Sequence, residues 1–134
     1  MINRLCVDAN IATINVVRRQ GHVEELTKLG FNTIVNTEES DWQEKLEAVV
    51  KSQKNKPFIC FECVAGELAG QVLSKMPSNS TMYLYGQLSR QHVAEVNTLL
   101  LIGRNQSIEG FFLGNYLQSL SLWRLSRLLK KCTA

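Results

Sequence analysis

Hydrophobic positions along the chain switch between helical and extended spacing. Ile2, Leu5, Cys6 and Ala9 recur at helical intervals, and Asn10 is the natural stop. Ala12-Thr13-Ile14-Asn15-Val16-Val17-Arg18-Arg19 then runs apolar and β-branched before ending abruptly in two guanidinium groups, which predicts a strand of the type buried in a parallel sheet. Val23, Leu26 and Leu29 predict a short amphipathic helix, with Glu24 and Glu25 early, Lys28 late and Gly30 at C′. Asn32 to Asn36 reads as the next strand. Ser40-Asp41-Trp42-Gln43 fits the capping-box pattern, and Trp42, Leu46, Val49 and Val50 carry one apolar face on to Lys51.

Lys54-Asn55-Lys56-Pro57 breaks the pattern ahead of Phe58-Ile59-Cys60-Phe61-Glu62-Cys63-Val64, a third strand of the buried type, with Gly66 close behind. Leu68, Val72, Leu73 and Met76 form a helical face, Pro77 to Ser80 end it, and Thr81 to Tyr85 is a fourth strand closed by Gly86. Val93, Val96, Leu99 and Leu100 predict a short helix, and Gln106 to Leu113 a last strand. Leu122, Leu125, Leu128 and Leu129 place a core-facing stripe on a closing helix whose other side is cationic. Strand, helix, strand, helix in alternation implies right-handed crossovers and a parallel α/β sheet.

A length of 134 residues suits one domain, and 45% hydrophobic with 20% charged residues excludes a disordered chain. The net charge of +3 comes largely from Arg124, Arg127, Lys130 and Lys131. No aromatic interleaving accompanies these cations, so nucleic acid is not an expected partner. No run of about 18 uncharged apolar residues predicts a membrane span. Cys6, Cys60, Cys63 and Cys132 are scattered, and no secretory leader pattern opens the chain, which fits a reducing compartment inside the cell. Cys60-Phe61-Glu62-Cys63 has C-x-x-C spacing, yet on a strand residues three apart face opposite ways and no second ligand pair is near, so no metal site is expected. His22 and His92 lack an identifiable carboxylate or nucleophile partner, and no catalytic residue is assigned.

Arg18 and Arg19 carry the main chemical signal. In doubly wound folds the second strand ends beside the adenosine ribose, where an acidic residue accepts a 2′-hydroxyl and an arginine accommodates a 2′-phosphate. The arginine pair therefore predicts NADP(H). Two arginines equally suit a solvated strand end, and spacing alone does not choose between the two.

Three marks together resemble the cofactor domain of the medium-chain dehydrogenase/reductase superfamily, zinc-independent branch. They are Ile14-Asn15-Val16-Val17-Arg18 followed by Val23-Glu24-Glu25-Leu26 and Leu29-Gly30; Glu62-Cys63-Val64-Ala65-Gly66 at a strand end; and Ser107-Ile108-Glu109-Gly110-Phe111-Phe112-Leu113 after Tyr85-Gly86. The first mark is most similar to 2-enoyl thioester reductases of mitochondrial fatty-acid metabolism. The resemblance implies a doubly wound, mostly parallel Rossmann-like sheet spanning 1–134 as a nucleotide-binding domain, here without the family's first strand and glycine-rich turn, since none of the eight glycines forms G-x-G-x-x-G. The family's catalytic domain is likewise not expected within these residues.

Carried over residue by residue, the resemblance implies that Arg18 and Arg19 take the 2′-phosphate and that Cys63, Val64, Ala65 and Gly66 line a ribose. Tyr85 and Gly86 approach the nicotinamide, with Phe111, Phe112 and Leu113 beyond. Ala65 stands where the family usually has glycine. The expected activity is that of a cofactor-binding part of an NADPH-dependent enoyl thioester reductase-like oxidoreductase, not catalytic alone. A quinone oxidoreductase domain is the near alternative. A non-catalytic, truncated module that dimerises edge to edge through Gln106 to Leu113 is a second, and a methyltransferase of Rossmann type a third, against which the arginine pair argues. A homodimer through that last strand is the expected assembly.

Overall fold

A computed structural model of the chain describes residues 2–54 and 56–133, with side chains as far as Lys130. Asn55 and the side chains of Lys131 and Cys132, singled out above, lie outside the described residues. The chain divides into two compact units, Met1–Lys56 and Pro57–Ala134.

The first unit runs α1 (Ile2–Asp8), β1 (Asn15–Val17), α2 (Gln20–Lys28), β2 (Ile34–Asn36) and α3 (Trp42–Ser52). Asn10 ends α1 as its sequence position predicts. Its φ of 55° lets its N–H reach Val7 O at 2.9 Å while the Ile11 N–H reaches Cys6 O at 2.7 Å, which closes the helix with a left-handed residue. Gly30 does the same for α2 at φ 87°, with Gly30 N–H on Thr27 O and Phe31 N–H on Leu26 O, both at 3.0 Å. Strands β1 and β2 pair in parallel, Val16 opposite Val35. Buried Val35, Leu46 and Val50 form the small core of this unit. The capping box expected at Ser40 does not form, because the Trp42 N–H turns back to Glu39 O and α3 starts one residue late, with Asp41 at the N-cap making no side-chain cap bond.

The second unit runs β3 (Ile59–Glu62), α4 (Gly66–Lys75), β4 (Thr81–Leu84), α5 (Thr98–Gly103), β5 (Ser107–Gly110), α6 (Leu113–Ser119) and α7 (Leu122–Thr133). Its sheet has the order β3-β4-β5, all parallel, with Met82 between Cys60 and Ile108. Met82, Ala69, Leu73, Met76 and the hydroxyl-bearing Ser80 are fully or nearly fully buried. Each unit thus carries its own sheet, of two strands and of three, and both sheets are parallel throughout.

Two ties hold β5 to the end of α4. The buried Gln106 amide donates to Leu73 O, Met76 O and Pro77 O at 3.1, 2.8 and 3.3 Å, and one Arg104 nitrogen donates to Ser74 O and Met76 O at 2.7 and 3.0 Å. They supply partners at a helix terminus whose last carbonyls have none within the helix.

Four further expectations change. Val93 and Val96 are not helical: α5 begins only at Thr98, where the Asn97 side chain accepts the Leu100 N–H at 3.1 Å, and residues 86–97 form an irregular strap with a turn at 87–90 instead. The last strand is shorter than Gln106 to Leu113, since Leu113 already opens α6. Strand β3 is not buried on both faces: Ile59 is 65% and Phe61 52% exposed on one face, while Cys60 and Glu62 on the other are half-buried and buried, so only one face is covered. The stripe on α7 is not packed away either, with Leu125 and Leu128 half-buried and Leu122 86% exposed.

Candidate functional site

In the first unit, Arg18 and Arg19 leave the carboxyl end of β1 and are exposed. Arg19 is the N-cap residue of α2, in extended backbone, so both guanidinium stems spring from the point where strand gives way to helix. Beside them the buried Asn36 at the end of β2 donates to the Gln20 side chain at 3.4 Å, and its own oxygen accepts the Glu38 N–H at 3.1 Å. The result is a polar strand end carrying two cations and no carboxylate at positions 18 to 20. Such an end suits an anion, since helix N–H groups and guanidinium forks both donate.

In the second unit, Cys63, Val64, Ala65 and Gly66 make the turn from β3 into α4. Glu62, buried at the end of β3, organises it: one carboxylate oxygen accepts the N–H of Val64 at 2.5 Å and of Ala65 at 3.0 Å. Two consecutive donors on one buried carboxylate bend the chain sharply. Ala65 pays in backbone geometry, with φ 62° and ψ −150°, a region normally left to glycine. The missing glycine noted from the sequence is therefore a conformational departure as well as a compositional one.

The strap lies along this turn. Leu88 N–H donates to Cys63 O and Ser89 N–H to Val64 O, both at 2.9 Å, and Ala94 N–H donates to Gly66 O at 3.1 Å. Gly86 is required here, because a Cβ on it would stand 2.9 Å from Cys63 O and 3.2 Å from Cys63 Cβ. The Tyr85 hydroxyl is hydrogen-bonded to the Cys63 side chain. That bond, with partial burial and the nearby Cys63, Glu62 and Cys60 side chains, pushes the phenol up to about 12. Burial first, and Glu62 second, push the Cys60 thiol up to about 12 as well, so it stays protonated and unreactive at neutral pH.

Phe111, Phe112 and Leu113 follow β5 and are all exposed. Phe111 extends the ladder by donating its N–H to Leu84 O at 2.8 Å, and its ring lies 5.7 Å from that of Tyr116. The structure thus brings Cys63 to Gly66 together with Tyr85 and Gly86, and sets Phe111 to Leu113 at the same carboxyl-end margin of the three-stranded sheet. Arg18 and Arg19 occupy the corresponding margin of the two-stranded sheet in the first unit. Glu62 was not among the residues assigned a role from sequence; an acidic residue just before a turn whose N–H groups need an acceptor is the signal that marks it. Among the described residues no group of three or more His, Cys, Asp or Glu is placed to hold a metal ion.

Parallel strands joined through helices, with turns and cations gathered at strand carboxyl ends, define a Rossmann-like α/β fold of the nucleotide-binding kind. Solved structures agree. A candidate NADPH:quinone reductase from Mesorhizobium loti superposes with a TM-score of 0.82 at 25% identity, over 94% of this chain and 36% of the other. The mitochondrial 2-enoyl thioester reductase heterodimer from Candida tropicalis superposes at 0.73 with 22% identity, over 90% and 35%. The chain belongs to the zinc-binding dehydrogenase family, matching it over residues 1–129. That membership agrees with the medium-chain dehydrogenase/reductase resemblance read from the sequence. The mitochondrial enoyl-[acyl-carrier-protein] reductase of Arabidopsis thaliana is 29% identical over 111 residues, 80% of this chain but only 29% of the plant enzyme. The chain therefore spans about three tenths of the length of that relative.

Proposed function

We propose that residues 1–134 are the NADP(H)-binding part of an oxidoreductase akin to the enoyl thioester reductases, lacking within themselves the family's catalytic domain and inactive alone. The observation that carries this reading is the Arg18-Arg19 pair at the carboxyl end of a parallel strand, exposed and at the start of a helix, where a ribose carrying only hydroxyls would call for an acid. Arg18 and Arg19 hold the 2′-phosphate; Cys63, Val64, Ala65 and Gly66 border a ribose; Tyr85 and Gly86 face the nicotinamide side, with Phe111, Phe112 and Leu113 beyond. The Val64 and Ala65 N–H groups are already taken by Glu62, so this turn offers shape and carbonyl-side contact and not a phosphate cradle. When bound, the cofactor supplies hydride to a conjugated enoyl thioester or, in the second reading, to a quinone; substrate choice belongs to a domain outside these residues. The relatives' names favour the thioester, and with it a mitochondrial or else cytoplasmic setting.

Calorimetric titration of the chain with NADPH, NADH and 2′-phospho-AMP tests the cofactor. Preference for the 2′-phosphorylated ligands, reduced about 10- to 100-fold in Arg18→Ala with Arg19→Ala, is expected from the loss of charge-assisted hydrogen bonds. Equal binding of NADH, or a double variant that binds as before, refutes the assignment.

The assembly we propose is a homodimer through the outer edge of β5. Ser107 N–H donates to Ser80 O and Phe111 N–H to Leu84 O, so by strand alternation Ile108 and Gly110 turn their N–H groups outward. Proline at Gly110 removes an outward donor while leaving the β4 ladder whole, and a Cβ there meets nothing within 4 Å. Gly110→Pro is expected to weaken sedimentation-measured dimerisation at least about tenfold; an unchanged dimer places the interface elsewhere.

A further inference from the structure

We infer that Gln20 is a third ligand of the 2′-phosphate, set in that role by the buried Asn36; the inference rests on the reading of Arg18 and Arg19 given above. The polarity of a hydrogen-bond chain carries it. A backbone N–H can only donate, so the Glu38 N–H, 3.1 Å from the Asn36 side-chain oxygen, fixes which end of that amide is which. The Asn36 nitrogen is thereby turned to Gln20 and donates to its Oε1 at 3.4 Å, a long bond. Reversing either amide would oppose donor to donor. Gln20 therefore spends its acceptor inward, and its Nε2, which has no partner among the described residues, is the end left for a ligand. Asn36 is only 7% exposed while Gln20 is exposed, so the anchor is buried and the offered donor stands at the surface.

Gln20 opens α2 directly after Arg18 and Arg19, and the first N–H groups of a helix have no partner within it. Gly21 beside it leaves room, since a Cβ there would meet nothing within 4 Å. Neither arginine is held in an ion pair among the described residues: Glu39, just after β2, is tied to Lys45 instead. A ribose hydroxyl donates as readily as it accepts and is served equally by an acid, whereas an ionised phosphate accepts alone. An amide locked as a donor beside two guanidinium groups therefore selects the phosphate. Gln20 touches the ligand; Asn36 acts through it, as a positioning residue.

Calorimetric titration of the full chain with NADPH and NADH reads the role. Gln20→Leu should weaken NADPH about tenfold, the loss of one hydrogen bond to a charged group, and leave NADH unchanged. Gln20→Glu still accepts from Asn36 but turns a carboxylate to the ligand, and should weaken NADPH about 100-fold while NADH binds no worse. Asn36→Leu should weaken NADPH about threefold with Gln20 in place and not at all combined with Gln20→Leu, a dependence that a merely structural Asn36 would not show. In side-chain amide NMR spectra the Gln20 proton pair, assigned by its absence in Gln20→Leu, should shift with 2′-phospho-AMP and not with adenosine. If NADPH is preferred through Arg18 and Arg19 while both Gln20 variants bind it as the wild type does, this inference falls and the reading beneath it stands. An equal loss from Asn36→Leu in both backgrounds refutes the positioning by Asn36. If the wild type shows no preference for NADPH, both fall together.

Discussion

Gly70→Ala places a methyl group where the strap crosses α4. A Cβ at residue 70 stands 2.0 Å from Ala94 O, 2.7 Å from Glu95 C and 2.8 Å from Glu95 O, all main-chain atoms that cannot rotate aside. Ordinary contact begins at 3.4 Å, so the strap must retreat by about 1.4 Å at Ala94. That retreat strains the Ala94 N–H bond to Gly66 O, 3.1 Å, and the Gln71 amide bond to Glu95, 2.7 Å. Overpacking costs about 1–3 kcal/mol, and each hydrogen bond lost adds about 1 kcal/mol. Helix propensity works the other way, since alanine for glycine in a helix interior gains at most about 1 kcal/mol. The clash wins, leaving a net loss of about 2–4 kcal/mol. Urea unfolding followed by circular dichroism measures it, with Gly21→Ala as the control because a Cβ there meets nothing within 4 Å and should gain about 0.5 kcal/mol. If Gly70→Ala raises the midpoint as Gly21→Ala does, the strap does not cross α4 at this position.

Gln106→Leu should cost about 2 kcal/mol in the same assay, chiefly by orphaning Pro77 O, because Met76 O keeps Arg104 and Leu73 O keeps the Met76 N–H; Gln106→Glu should cost more, a carboxylate being forced against carbonyls. Alkylation of native protein at pH 8 should modify Cys60 about 1,000-fold more slowly than the unfolded chain, as follows from a thiol raised from 9.0 to about 12; mass-mapped rates equal to those of the unfolded chain would refute the burial. Because that thiol is raised on folding, its contribution to stability is full below pH 9 and is lost between pH 9 and about 12, where the unfolded chain ionises first. Cys60→Ala should flatten this alkaline decline in urea midpoints.

Helix ends and strand positions were legible in the chain wherever a local rule decided them. Asn10 and Gly30 close their helices by the left-handed geometry their identities permit, and each strand core falls inside the run that announced it. Val93 and Val96 misled because two apolar residues at helical spacing also suit a strap pinned by distant partners, Gly66 O and the cleft above Gly70, which no local pattern encodes. Phe58 to Val64 reads as a doubly covered strand because its composition is that of one; exposure of Ile59 and Phe61 depends on what packs over that face of the sheet, a property of the assembled fold and not of the strand. At the candidate site, the arginine pair and the turn glycines could be found by residue type. The Glu62 carboxylate and the strained Ala65 could not, since both are defined by the path of the backbone between them.

The clamp formed by Gln106 and Arg104 makes one helix depend on a strand far along the chain. Gln106 reaches Leu73 across 33 residues, so the last turn of α4 cannot complete its hydrogen bonding until β4, the strap and α5 have been traversed. Local helix formation earns little before that closure, and the loop entropy of reaching it must be met in a single step. The second unit is thereby wired as an all-or-none assembly: whatever peels β5 from its neighbour also frays α4, and the turn that α4 begins with loses its anchor at the far end.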